Sequence, residues 1–106
     1  MGIRNRMDIE TIQAKVSTGT YLYSRHADNE RKLDHLTFRH VKDAILSGAI
    51  LEQYPDTGRG ETCLVVGISG NTPIHVVCGW HGEKIVFVTV YIPRPPKFTD
   101  PWTRAR

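Results

Sequence analysis

The sequence predicts an α+β domain in which two or three N-terminal helices pack on one face of a four-stranded antiparallel sheet. Up to Gly48 apolar residues recur every three or four positions, the period of an amphipathic helix, whereas beyond it they gather in β-branched runs. Glycine-bearing connections of a few residues separate those runs, which is the signature of hairpins. The length, 106 residues, suits one core, and a chain of this size buries about two thirds of its unfolded surface. Residues 1–106 are therefore expected to form a single domain: an N-terminal helix in 1–19, an α+β core in 20–92 and a proline-rich arm in 93–106.

The first helix follows from Asp8, a side chain that can cap free N–H groups, placed before Ile9, Ile12 and Val16, with Gly19 as the stop. Tyr21-Leu22-Tyr23 is either a short strand or an extended connector. Ser24 stands where a cap would stand, so residues 25–35 read as the second helix. Thr37 precedes Phe38, Val41, Ala44, Ile45 and Leu46, which predicts a third amphipathic helix ending at Gly48. Thr37 followed by His40 falls short of a full capping box, whose last position is Glu or Gln.

Ile50–Tyr54 begins the strand-rich half, and the Pro55–Gly60 stretch is a turn or loop. Runs Thr62–Ile68, Pro73–Trp80 and Lys84–Ile92 follow as an antiparallel meander, joined by Ser69–Thr72 and His81–Glu83. Centring the first hairpin on Gly70-Asn71 sets Cys63 opposite Cys78 and Val66 opposite His75. Unbroken alternation then puts Leu64, Val66, Val77, Val88 and Val90 on the face of His75, with Val65, Ile74, Val76, Phe87, Thr89 and Tyr91 on the other. Both sets are apolar, so the sheet is covered on both sides or joins an interface. The prolines from Pro93 onward exclude a continuous helix and predict an extended arm.

Composition narrows the functional classes. No apolar run approaches the length of a membrane span, and the basic N-terminus lacks the apolar segment of a secretory signal, so a cytoplasmic protein without membrane contact is expected. The two cysteines have neither metal-ligand nor redox spacing and read as reduced core residues, with a cross-strand bridge as the expected product of oxidation. A net charge of +3 and a pI near 9.1 permit nucleic-acid contact without requiring it. None of the five histidines pairs with another at metal-ligand spacing, and no serine sits in a nucleophile elbow, so no metal or cofactor is expected.

Metal-free RNA cleavage needs only a base for the ribose 2′-hydroxyl, an acid for the leaving oxygen and cations for the phosphate. His26, His75 and Tyr91 can supply the first two functions. Arg25 and Arg31 near the second helix, with Arg94 and Lys97 in the arm, can supply the third. Plainer roles stand beside these. His26 is equally a helix-start residue, His75 a satisfied core histidine and Tyr91 a strand aromatic, while Arg31 and Lys32 suit a solvated face. Trp80 and Trp102 are partner anchors or local packing residues. A DNA-binding role is disfavoured because Phe38, Arg39, Lys42 and Asp43 form no recognition-helix pattern.

Ser24-Arg25-His26-Ala27, Leu36-Thr37 opening a helix to Gly48, Ile50–Pro55, Cys63–Gly67, Ile74–Val77 and Thr89–Pro93 together resemble the bacterial family called domain of unknown function 4258 over residues 21–102. The resemblance extends to toxins of the MqsR, RelE, ParE and BrnT kind. It implies a RelE/BrnT-like fold and the toxin of a type II toxin-antitoxin system, a metal-independent mRNA interferase. His26 would be its base or acid, and Tyr91 and His75 supporting groups. Implied partners are RNA and a small antitoxin with zinc-finger and helix-turn-helix character; whether the chain forms a homodimer is left open by the sequence. The resemblance also implies arginines four and eight residues after the histidine, where this chain has Glu30 and Asp34 and a displaced Arg31. Acidic groups there would repel RNA. The competing expectation is a non-catalytic protein-interaction module that binds through the apolar sheet face and the arm.

Overall fold

The computed structural model describes residues 7–55, 58 and 60–104. Expectations for residues 1–6, for Asp56, Thr57 and Arg59 of the predicted turn, and for residues 105–106 of the arm lie outside the described residues. Three helices, α1 (Ile9–Ser17), α2 (Arg25–Leu33) and α3 (Phe38–Ser47), are interleaved with β1 (Tyr21–Tyr23) and precede β2 (Ala49–Tyr54), β3 (Thr62–Ser69), β4 (Thr72–His81) and β5 (Lys84–Tyr91). Two short strands, β6 (Phe98–Asp100) and β7 (Thr103–Arg104), close the chain.

Side-chain caps set the helix starts. Asp8 accepts from the Thr11 N–H at 2.8 Å and Ser24 Oγ from that of Ala27 at 3.0 Å, each satisfying an orphan donor of the first turn. Thr37 and His40 do form a reciprocal capping box, contrary to the sequence rule. Thr37 Oγ1 accepts from the His40 N–H, while His40 Nδ1 accepts from the Thr37 N–H at 2.9 Å. A neutral imidazole nitrogen thus does what a Glu carboxylate does elsewhere. The second helix stops before residue 35 because His35 adopts φ 59°, a left-handed conformation that cannot continue a right-handed helix.

The main sheet has five strands in the order β1-β5-β4-β3-β2. Its last four run antiparallel as expected, and Tyr21–Tyr23 adds as a fifth, parallel to β5, with Tyr21 beside Ile85 and Tyr23 beside Phe87. The first hairpin has the expected register, Cys63 facing Cys78 and Val66 facing His75, with Gly70 at φ 61° providing the turn. Cys63 and Cys78 are buried free thiols. The Cys63 thiol and burial push the Cys78 thiol well above its ordinary pKa, and Cys63 Sγ lies 3.7 Å from Met7 Sδ.

Alternation does not continue through β5. A register shift between Val77 and Cys78 pairs Val77 with Thr89 but Cys78 with Phe87, so β5 carries one extra residue there. Tyr91 consequently faces the same way as His75, its direct partner, and Val90 pairs with Val76 in the core. The face assignment of Thr89, Val90 and Tyr91 is thereby reversed.

The helix-side core joins Ile12 and Val16 of α1, Ala27 of α2 and Val41, Ala44 and Ile45 of α3 with Cys63, Val65, Ile74, Val76, Cys78, Ile85, Phe87 and Val90. The opposite face is also covered around Leu64, Val66 and His75, which are 0%, 4% and 0% exposed. Its cover is the C-terminal segment. Rather than an extended arm, residues 98–104 form a hairpin, β6–β7, whose buried Phe98 meets the His75 ring edge-on at 4.5 Å.

Candidate functional site

The outer face of the sheet gathers polar side chains from three strands and the terminal hairpin. His75 on β4 and Tyr91 on β5 are directly opposed, and their side chains meet with Nδ1 and the phenol oxygen 3.2 Å apart. His75 Nε2 lies 2.6 Å from the Pro101 carbonyl oxygen, which can only accept, so Nε2 carries the proton. Nδ1 is then the acceptor, and Tyr91 donates its O–H to it. Burial pulls the His75 pKa down and pushes the Tyr91 phenol up, so His75 stays neutral and Tyr91 protonated.

Glu52 and Tyr54 of β2 extend this cluster. Period-two geometry puts both on the outer face, where the Tyr54 hydroxyl donates to Glu52 Oε1. Arg104 clamps the same carboxylate with two bonds, Nη2 to Oε1 at 2.7 Å and Nε to Oε2 at 2.9 Å. Those bonds hold the Glu52 pKa at about 2, against an ordinary 4.5, and burial with the Glu52 charge lifts Tyr54 to about 12. Because the folded-state pKa is depressed, the stability this carboxylate contributes is present above pH 4.5 and is lost as pH falls from there towards 2. An acid titration followed by tryptophan fluorescence should therefore show a loss of stability between those limits that is smaller in Glu52→Gln. A titration identical in the two proteins would remove the ion pair from the account.

The second helix explains the acidic residues at the expected arginine positions. β1 pairs only with Ile85–Phe87, which leaves the rest of that edge of β5 without a strand. Ser24 Oγ donates to the Val88 carbonyl at 3.0 Å, Glu30 Oε1 accepts from the Val90 N–H at 2.9 Å and Asp34 Oδ2 accepts from the Ile92 N–H at 2.8 Å. The helix thus replaces a strand, and only acceptors can satisfy those N–H groups. An arginine at 30 or 34 could not.

Among the predicted residues, the structure joins His75 and Tyr91. It does not join His26 to them: its side chain is 66% exposed on the first turn of α2, with Nε2 3.3 Å from Glu30 Oε1. Arg25 is exposed beside it. Arg31 is turned away from solvent, 13% exposed, bonding Asp28 at 2.8 Å and the Leu36 carbonyl at 2.9 Å, with its guanidinium 3.9 Å over Phe38. Arg94 is 57% exposed and 3.3 Å from Asp34 Oδ1. Lys97 Nζ sits 5.9 Å over the Tyr91 ring. Glu52, Tyr54, Phe98 and Arg104 were not singled out by sequence. For Glu52 and Tyr54 the signal was there, two polar groups two apart in an apolar strand.

Of the tryptophans, Trp80 packs partly buried against the helix-side core with Lys15 Nζ 5.9 Å from its ring, and Trp102 is exposed in the terminal hairpin. Among the described residues no three His, Cys, Asp or Glu side chains gather as a metal site, and no helix is long and apolar enough to cross a membrane.

Fold and site thus define an α+β domain with a histidine–tyrosine pair on the sheet face remote from the helices. The family described as Domain of unknown function (DUF4258) matches residues 23–92, and the chain belongs to that family. Helix α1 and the terminal hairpin lie outside the matched span. No curated protein and no solved structure matches the chain.

Proposed function

We propose that the protein is a toxin-like, metal-independent endoribonuclease acting on mRNA, with the His75–Tyr91 pair as its acid-base centre. The observation that carries this reading is the 3.2 Å contact between a neutral imidazole and a protonated phenol, with Lys97 over the Tyr91 ring and Arg104 on the same sheet face. Once the Tyr91 hydroxyl turns from His75 Nδ1 towards the substrate, that nitrogen of the neutral imidazole is suited to take the proton of a ribose 2′-hydroxyl as its oxygen attacks the adjacent phosphorus. Tyr91, held protonated, is suited to give its proton to the departing 5′-oxygen. The products would be a 2′,3′-cyclic phosphate and a 5′-hydroxyl.

Arg94 and Lys97 near the start of the arm would face the phosphate, and Arg25 and His26 at the start of α2 would contact RNA further along the strand. Glu30 and Asp34 do not count against this role, since their oxygens are engaged by strand N–H groups. The proposal keeps a small antitoxin-like protein as the partner that silences the activity in the cell, and the homodimer as the assembly.

The test is digestion of mRNA by the purified protein in EDTA, with and without ribosomes, alongside growth on expression. Cleavage and growth arrest are expected. Intact RNA under both conditions, together with normal growth, would overturn the proposal.

The second reading, a non-catalytic interaction module, is favoured by one observation: both His75 nitrogens are occupied and the residue is 0% exposed. Part of the sheet face it was expected to use is already covered by the terminal hairpin. Its surface would instead be the shallow groove of Tyr21, Phe38 and Leu46, rimmed by Arg39, Lys42 and Asp43.

A further inference from the structure

A reactive histidine that is 0% exposed, beside a partly exposed Tyr91, requires a way to be uncovered. The segment from Pro93 to Arg104 crosses the outer sheet face, where Lys97 lies over the Tyr91 ring and three closer contacts anchor it. Phe98 is 1% exposed against His75, the Pro101 carbonyl accepts from His75 Nε2, and Arg104 clamps Glu52. The Arg104 guanidinium also lies 4.8 Å over the Phe98 ring, so the outermost anchor holds the innermost in place.

Between these anchors the segment is thinly held. Its two strands span three and two residues, Thr99 and Asp100 are exposed, and their bonds to the Thr103 carbonyl and the Trp102 N–H stay within the hairpin. The Arg104–Glu52 pair is itself 43% and 25% exposed, where water competes for the charges. Beneath it, the sheet keeps its own ladder of backbone bonds, and the helix-side core makes no use of Phe98. The cover can therefore lift while the sheet stays folded. It also lies beyond residue 92, outside the span that the family shares, whereas His75 and Tyr91 lie inside it.

We infer that residues Pro93–Arg104 are a strap that closes the His75–Tyr91 pair and controls access to it, with Arg104 on Glu52 as the latch. The inference rests on the proposed function only for what the opened pair does; the opening itself is independent of any activity.

The experiment measures the reaction of each histidine with diethylpyrocarbonate, mapped by mass spectrometry on the full chain. Exposed His26 is the internal reference, and the buried thiols Cys63 and Cys78, titrated with a disulfide reagent, report global unfolding. In the wild type His26 should react fast and His75 slowly. Glu52→Gln and Arg104→Ala should speed His75 about tenfold, the scale of a lost charged hydrogen bond. Phe98→Ala should speed it more, with His26 and both thiols unchanged in all three.

Unchanged His75 reactivity in all three variants would overturn the strap, as would a rise that occurs only in step with exposure of the thiols. RNA cleavage separates this inference from the proposed function. A His75 that is unmasked in variants that cut no RNA supports the strap and removes the nuclease. A wild type that cuts RNA while all three variants keep His75 shielded and cut no faster removes the strap and keeps the nuclease.

Discussion

Gly67→Ala is expected to destabilise the domain by more than about 3 kcal/mol, the upper end of ordinary overpacking costs. Gly67 sits in the middle of β3 where α3 crosses it, and a Cβ there would lie 1.7 Å from the Ala44 carbonyl oxygen and 2.5 Å from its carbon. Those are backbone atoms of a helix turn. They cannot swing aside as a side chain can, so α3 must lift off the sheet and open the contacts of Val41, Ala44 and Ile45. For a domain of this size the loss corresponds to a melting temperature lower by about 12 °C or more. Gly70→Ala is the informative control. That residue has φ 61° with nothing within 4 Å of a Cβ, so it should lose only the left-handed conformational cost, about 1–2 kcal/mol. Equal losses by thermal denaturation would mean that α3 does not pack on Gly67 as described.

His75→Gln is expected to lower RNA cleavage by about 10²–10⁴-fold, the contribution of a positioned acid or base. Glutamine keeps an N–H that can reach the Pro101 carbonyl, so the strap retains an anchor, but it cannot take a proton near neutral pH. Tyr91→Phe removes only the hydroxyl that His75 accepts from and should lose activity on the same scale, with the ring contact to His75 kept. The two losses should not multiply in the double variant, because the pair acts as a unit. His26→Ala, in contrast, changes an exposed residue that touches Glu30 alone among the site groups, and is expected to weaken RNA binding with little change in the rate of the bond-breaking step.

Local chemistry made the backbone frame legible in advance. Asp8, Ser24 and Thr37 announced their helices because a short polar side chain before an apolar stripe has few other uses, and Gly70-Asn71 set the β3–β4 register that pairs Val66 with His75. What was not legible depends on long-range geometry. Nothing in Phe87-Val88-Thr89 marks an extra residue, yet that bulge turns Tyr91 onto the face of His75 and creates the pair. Glu30 and Asp34 looked like lost phosphate contacts because sequence cannot show that the edge of β5 lacks a strand beyond Phe87. The terminal hairpin was hidden for a similar reason: its prolines exclude a helix but do not say where Phe98 and Arg104 land.

The proposed activity is cleavage of RNA by this face through the ribose 2′-hydroxyl without a metal ion. Its most direct test is an oligodeoxynucleotide carrying one ribonucleotide, incubated in EDTA with wild type, His75→Gln and Tyr91→Phe. Wild type should cut at the ribonucleotide alone, leaving a 2′,3′-cyclic phosphate, and both variants should lose the cut. Cleavage undiminished in both variants, or equal cutting of the all-deoxy strand, would contradict it.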